Sequence, residues 1–166
     1  MTAPLVHSNR RTENVDISAL RPPRPDRGRQ PMQIVNKADL PSVRMNGEIM
    51  ARIFDGSKHG DISVSAFIVD LPPGFGPKRH VHPYEEVFII VHGQVELEAD
   101  GEVRTTGPNE VCIVEANVPH TFTNVGNDRA VMVNIHANPN VITDFVAGGP
   151  ERIGYEFNHA EGASSS

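Results

Sequence analysis

Two histidines, His80 and His82, stand two residues apart in PKRHVHPYEEVFII (77–90), and Glu85 and Glu86 follow within four residues. Imidazole and carboxylate groups at this density are donors that a divalent transition metal takes. Successive side chains on a strand alternate faces, so His80 and His82 point the same way, about 6.6 Å apart at Cα. Two imidazoles so placed can converge on one ion. Glu86 cannot join them along the same straight strand, because six residues from His80 span about 20 Å. The chain must therefore turn, and Pro83-Tyr84 is where a turn fits, since proline donates nothing to a β ladder. Parity then sets Glu86, Phe88, Ile90 and His92 on one face and Glu85, Val87, Ile89 and Val91 on the other. Glu86 is the inward carboxylate and Glu85 the outward one. His120, in NVPHTFTN (117–124), opens another strand pattern, with Phe122 and Asn124 on its own face. Spacing alone does not bring it to His80 and His82.

The segments that must position these groups read as strands. MARIF (50–54), DISVSAFIVDL (61–71), EEVFIIVHG (85–93), QVELEADGEV (94–103), EVCIVEA (110–116), HTFTNVG (120–126) and AVMVNIHA (130–137) are rich in Val, Ile, Phe and Thr. Gly, Pro, Asn and Asp separate them at short intervals, the pattern of an all-β barrel or sandwich. ADGE (99–102) carries the Asp-Gly pair of a tight hairpin. NVITDFVAGG (140–149) is expected to form a short terminal helix stopped by Gly148-Gly149. Residues 1–31, which include RPPRPDRGRQP, lack the apolar content to order themselves and are expected to be a disordered arm. The body is expected over 32–150, with a tail at 151–166.

Gly74-x5-His80-x-His82-x3-Glu86-x6-Gly93 matches the first motif of the cupin family at every position. His120-x3-Asn124 fits the end of the second motif, while Asn109, Glu115 and Asn117 stand where Gly, Pro and Gly are usual. These are turn positions, and Asn is the residue that best replaces Gly at positive φ. The chain thus resembles a small single-domain cupin over about 48–137. The resemblance implies an antiparallel jelly-roll barrel holding one divalent metal ion through His80, His82, Glu86 and His120. Such a donor set suits Fe(II), Mn(II), Ni(II), Co(II) or Zn(II) without selecting among them, and Fe(II) is the leading expectation. The implied function is a metal-dependent enzyme for a small organic molecule, with Fe(II)-dependent oxygenase chemistry as the leading expectation. The same site used as a Lewis acid for cyclisation, isomerisation, dehydration or lyase chemistry is the alternative, and a non-catalytic binding module is a third.

Further side chains follow from this frame. His136, at the end of the last strand pattern, is the candidate proton-transfer group, since an imidazole titrates near neutrality. Phe67, Phe75, Phe88, Ile90, Val114 and Phe122 are expected to line an apolar pocket, with Tyr84 at its rim, which suits an aromatic or enolic substrate. His92, beside Gly93, is expected on a surface turn. The strand 86–91 is apolar on both faces, so its outer face needs cover, and a homodimer is expected.

Bulk properties narrow the class. The 166 residues carry a net charge of −6. Residues 1–31 hold six arginines against three acidic residues, leaving −9 on the remainder. An acidic body is no nucleic-acid partner. Cys112 is the single cysteine, which excludes an internal disulfide and fits a cytoplasmic protein. No stretch of 18 apolar residues exists, so no membrane partner is expected.

Overall fold

A computed structural model describes residues 32–147 and the backbone of Gly154–Tyr155. The expected N-terminal arm and most of the expected tail lie outside the described residues.

Among the described residues thirteen strands run in chain order: β1 (Ser42–Met45), β2 (Glu48–Phe54), β3 (Ser65–Leu71), β4 (Gly76–Pro77), β5 (His80–Val81), β6 (Glu86–His92), β7 (Val95–Ala99), β8 (Glu102–Thr106), β9 (Val111–Val114), β10 (His120–Asn124), β11 (Ala130–His136), β12 (Asp144–Phe145) and β13 (Gly154–Tyr155). Two single-turn 3-10 segments, Lys37–Asp39 and Gly56–Lys58, complete the described elements. One antiparallel sheet has the order β1-β2-β3-β11-β6-β9 and the other β12-β5-β10-β7-β8, while β13 pairs in parallel with β4. No helix among the described residues is long and apolar enough to cross a membrane.

The alternation of the sequence becomes the two-sided character of the sheets. On β6, Glu86, Phe88 and Ile90 are buried, and Ile89 and Val91 are exposed. On β11, Ala130, Met132, Asn134 and His136 are buried, with half-buried residues between them. The core lies between the sheets, where Phe88 of β6 meets Phe122 of β10 edge to face at 5.7 Å. Full burial of a Phe, Leu, Ile or Met side chain contributes about 1.5–3 kcal/mol, so this layer supplies most of the drive to fold.

Turn chemistry fixes the register. Asp100 and Gly101 both take positive φ (49° and 83°), which a two-residue hairpin between β7 and β8 requires. Gly93 takes φ 85° where a Cβ would press on the backbone of Ala130. His92 is exposed beside it, as its turn position predicts. The expected helix over 140–149 is a correction. Through residue 147 this stretch is extended, and Asp144–Phe145 pairs with His80–Val81 of β5. Backbone pairing to an open strand edge wins there over the weak helical signal of NVITDFV.

Candidate metal centre

The four residues arrive from three places in the fold. His80 lies on β5, His82 just beyond it, and a bend at Pro83-Tyr84 returns the chain so that Glu86 opens β6. His120 opens β10, and its register partner on β5 is His80. This strand pairing supplies the juxtaposition that spacing could not. Asn117 takes φ 63° in the turn before β10, and its N–H donates to the His82 carbonyl at 2.7 Å. The Asn that replaces a motif glycine here thus keeps the left-handed turn and ties it to the ligand loop.

His80, His82, Glu86 and His120 are all buried, and one donor atom from each lies within 4.8 Å of the others. This group can hold a metal ion. Its proton count tests the fit. A neutral imidazole carries one ring proton. The Nδ1–H of His80 donates to the Lys78 carbonyl (2.8 Å), that of His82 to the Ile142 carbonyl (2.6 Å) and that of His120 to the Val118 carbonyl (2.8 Å). Each remaining Nε2 is therefore a bare lone pair. His82 Nε2 and His120 Nε2 face Glu86 Oε2 at 3.1 and 2.8 Å. Lone pairs facing a carboxylate repel unless a cation lies between them. His82 Nε2 is also buried with no hydrogen-bond partner. Carbonyl acceptors that fix the tautomer of each imidazole are the usual outer support of a metal site.

Burial works to raise the Glu86 carboxyl, but hydrogen bonding with His120, His136 and His82 outweighs burial and holds it well below the usual carboxylate range, which requires positive charge, a proton or a cation, between the carboxylate and these nitrogens. Burial, followed by the nearby His120, lowers His80 to about 3. His80 therefore stays unprotonated and able to ligate at any ordinary pH.

His136 is the fourth imidazole at this place. It is buried, and its Nε2 lies 3.2 Å from Glu86 Oε1. Its Nδ1 lies 3.1 Å from the Tyr84 hydroxyl. Tyr84 is buried, not on a rim, because its hydroxyl binds both backbone groups of Ile142, donating to the carbonyl at 2.9 Å and accepting from the N–H at 2.8 Å. Its ring stacks on His82 at 5.2 Å with an interplanar angle of 4°. Burial pushes the Tyr84 phenol up to about 12.

A narrow cleft, partly open to solvent, lies against this group. Phe67 and Phe122 line it, as expected, together with Val69 and Pro77, which spacing gave no reason to choose. Phe75, Tyr84, Phe88, Ile90 and Val114 do not line it. Phe88, Ile90 and Val114 belong to the core layer below, and Phe75 packs partly buried against that layer. Phe88 supports the site from there, edge-on to the His120 ring at 5.9 Å. Asn134 lines the cleft too, and it was missed. Its signal was present: it shares inward parity with Met132 and His136 in an otherwise apolar strand. Glu85 is exposed, and Arg79 is paired with Glu98 at 3.4 Å.

Comparison with known proteins places this geometry. The family model described as "Cupin domain" matches residues 67–136, which contain all four donors and His136. A curated relative, "Polyketide synthase CurC" of Streptomyces cyaneus, is 35% identical over 108 residues, covering 64% of this chain and 70% of that protein. Among solved structures, the oxalate decarboxylase of Lactobacillus farciminis superposes with a TM-score of 0.57 at 21% identity, over 66% of this chain and 34% of the other. The Bacillus subtilis oxalate decarboxylase, described with Mn(II) centres, gives 0.59 at 19% identity over 66% and 31%. This chain therefore spans about a third of those decarboxylases, and the likeness to them is one of fold. With the motif, the two-sheet barrel and the curated relative in agreement, the chain belongs to the cupin family.

Proposed function

We propose that this protein is a metal-dependent enzyme for a small aromatic or enolic molecule, using Lewis-acid chemistry with His136 as the proton-transfer group. The observation that carries this reading is a fourth buried imidazole beside the donor group, lining an apolar cleft. His80, His82, Glu86 and His120 would hold the ion. A divalent ion there would polarise an enolate or phenolate oxygen and leave positions open for it. Fe(II), Mn(II), Ni(II), Co(II) and Zn(II) all suit three imidazoles and one carboxylate.

The chain's own residues set the proton path. The Ile142 carbonyl takes the Tyr84 hydroxyl proton, so His136 Nδ1–H donates to the Tyr84 oxygen. His136 is left presenting a bare Nε2 at the donor group, the atom that would take a proton from bound substrate. Phe67, Val69 and Phe122 keep water from the reacting face. The likeness to a protein described as a polyketide synthase supports an enolic or phenolic substrate, because polyketide carbon chains are rich in enolisable carbonyls.

Dioxygen-dependent oxidation, the leading expectation from the sequence, becomes the second reading. It is favoured by the donor count, since four protein donors leave two positions free on a six-coordinate ion. Anaerobic purification, loading with zinc or iron, and a screen of aromatic and enolic compounds separates the readings. Equal turnover by the zinc protein without oxygen is the expected result. Oxygen consumption coupled to turnover by the iron protein alone would overturn it in favour of oxidation. Ligand binding without turnover under either condition would make the chain a binding module.

The proposal includes a homodimer. Ile89 and Val91 of β6 and Val111 and Ile113 of β9 form an exposed apolar patch on the outer face, with Ile89 and Val111 in register. A second copy is the cover proposed for this face, since a contiguous exposed apolar patch marks an interaction surface.

A further inference from the structure

Asn134 sits at the centre of the six-stranded sheet, between Phe67 of β3 and Phe88 of β6 in register. It is 2% exposed and lines the cleft beside His82, Glu86 and His136. Its Oδ1 is buried and has no hydrogen-bond partner. A buried amide oxygen without a donor is costly, and an apolar side chain at this position would avoid that cost. The acceptor is therefore an unmet demand for an O–H or N–H group inside the cleft. No lysine or arginine is among the residues lining it, and its one carboxylate, Glu86, belongs to the donor group. A dicarboxylate would find no cation in these walls for its second charge.

We propose that Asn134 is the substrate-orienting residue of this cleft: its Oδ1 accepts a hydrogen bond from a hydroxyl of a phenol or enol whose second oxygen would bind an ion held by the donor group. This rests on the reading of the site as a metal centre for aromatic or enolic molecules, and it narrows the substrate to those carrying a second, un-ionised hydroxyl. A site built to hydrogen-bond a hydroxyl discriminates against the analogue that lacks it, because the protein group is then left unpaired.

The test uses the full chain loaded with zinc and four probes followed by calorimetry: catechol, resorcinol and the monomethyl ether of each. The wild type is expected to bind at least one diol about tenfold more tightly than its ether, the size of one net hydrogen bond. Asn134→Leu is expected to lose that preference while keeping its zinc and its affinity for the ether. Asn134→Asp, which keeps an acceptor oxygen at this position, serves if the leucine variant fails to fold, and it should keep the diol preference. A leucine variant that retains the preference, an aspartate variant that loses it, or a wild type that binds diol and ether alike overturns the role of Asn134 and leaves the metal-centre reading standing. A zinc-loaded wild type that binds none of the four overturns the phenolic substrate class itself, and the role of Asn134 with it.

Discussion

At the scale of single residues, the site is a matter of where protons are. Three imidazoles donate hydrogen bonds from Nδ1–H to backbone carbonyls, and two of them set Nε2 against one carboxylate. His82→Ala or His120→Ala should therefore strip bound metal by at least tenfold while the barrel stays folded, as outer-support changes alone cost 10–100-fold. Elemental analysis together with circular dichroism reads both outcomes. The pH response of the metal-free protein follows from His80. Its ordinary value is 6.5 and its folded value about 3, so between these the unfolded chain takes a proton that the folded chain refuses. The folded state should lose stability as pH falls from about 6.5 toward 3, and keep it above that range. Thermal unfolding of metal-free protein across this window checks the sign. Glu86 acts in the same direction at lower pH, since its stabilising charge is lost as the carboxylate is protonated.

At the scale of elements, the stretch after β11 is the least expected part of the structure. The chain passes from β11 to β12 and lies along β5, with Ile142 held by the Tyr84 hydroxyl through both its backbone groups. The same Ile142 carbonyl accepts from His82. Tyr84→Phe removes the anchor for this segment and the partner of His136 together. We expect it to cost about 1–3 kcal/mol of stability and to weaken metal binding by about tenfold, measured by denaturant titration and by metal competition. The sequence made the strands legible because Val, Ile and Phe alternate with polar residues over whole segments, and it made Glu86 distinguishable from Glu85 by parity. It could not place β12. Two residues pairing to a strand edge carry no periodicity, and the tie from Ile142 to Tyr84 crosses 58 positions. Nor could parity tell which inward residues reach the cleft. Phe67 and Phe122 do, while Phe88 and Ile90 lie a layer deeper, a difference set by curvature and not by alternation.

At the scale of the whole molecule, the outer surface of β6 and β9 carries what the expected dimer needs. Ile113 is 65% exposed and Val111 61% exposed, on the edge strand of the six-stranded sheet. Ile113→Lys should leave the barrel and its metal content intact and shift the protein from dimer to monomer. Light scattering after size-exclusion chromatography reads that change, and a wild type that is monomeric at micromolar concentration would remove the dimer altogether. The chain outside residues 1–31 carries a net negative charge, so salt should favour the association of two copies by screening their repulsion.

The donor group also joins the two halves of the barrel. His80, His82 and His120 belong to or flank the five-stranded sheet, and Glu86 opens a central strand of the six-stranded one. An ion held by all four is a cross-brace, and the sheets cannot part at that end without releasing it. Folding and metal supply would then be one coupled equilibrium, in which free metal favours the closed barrel and its removal lowers the stability of the folded state.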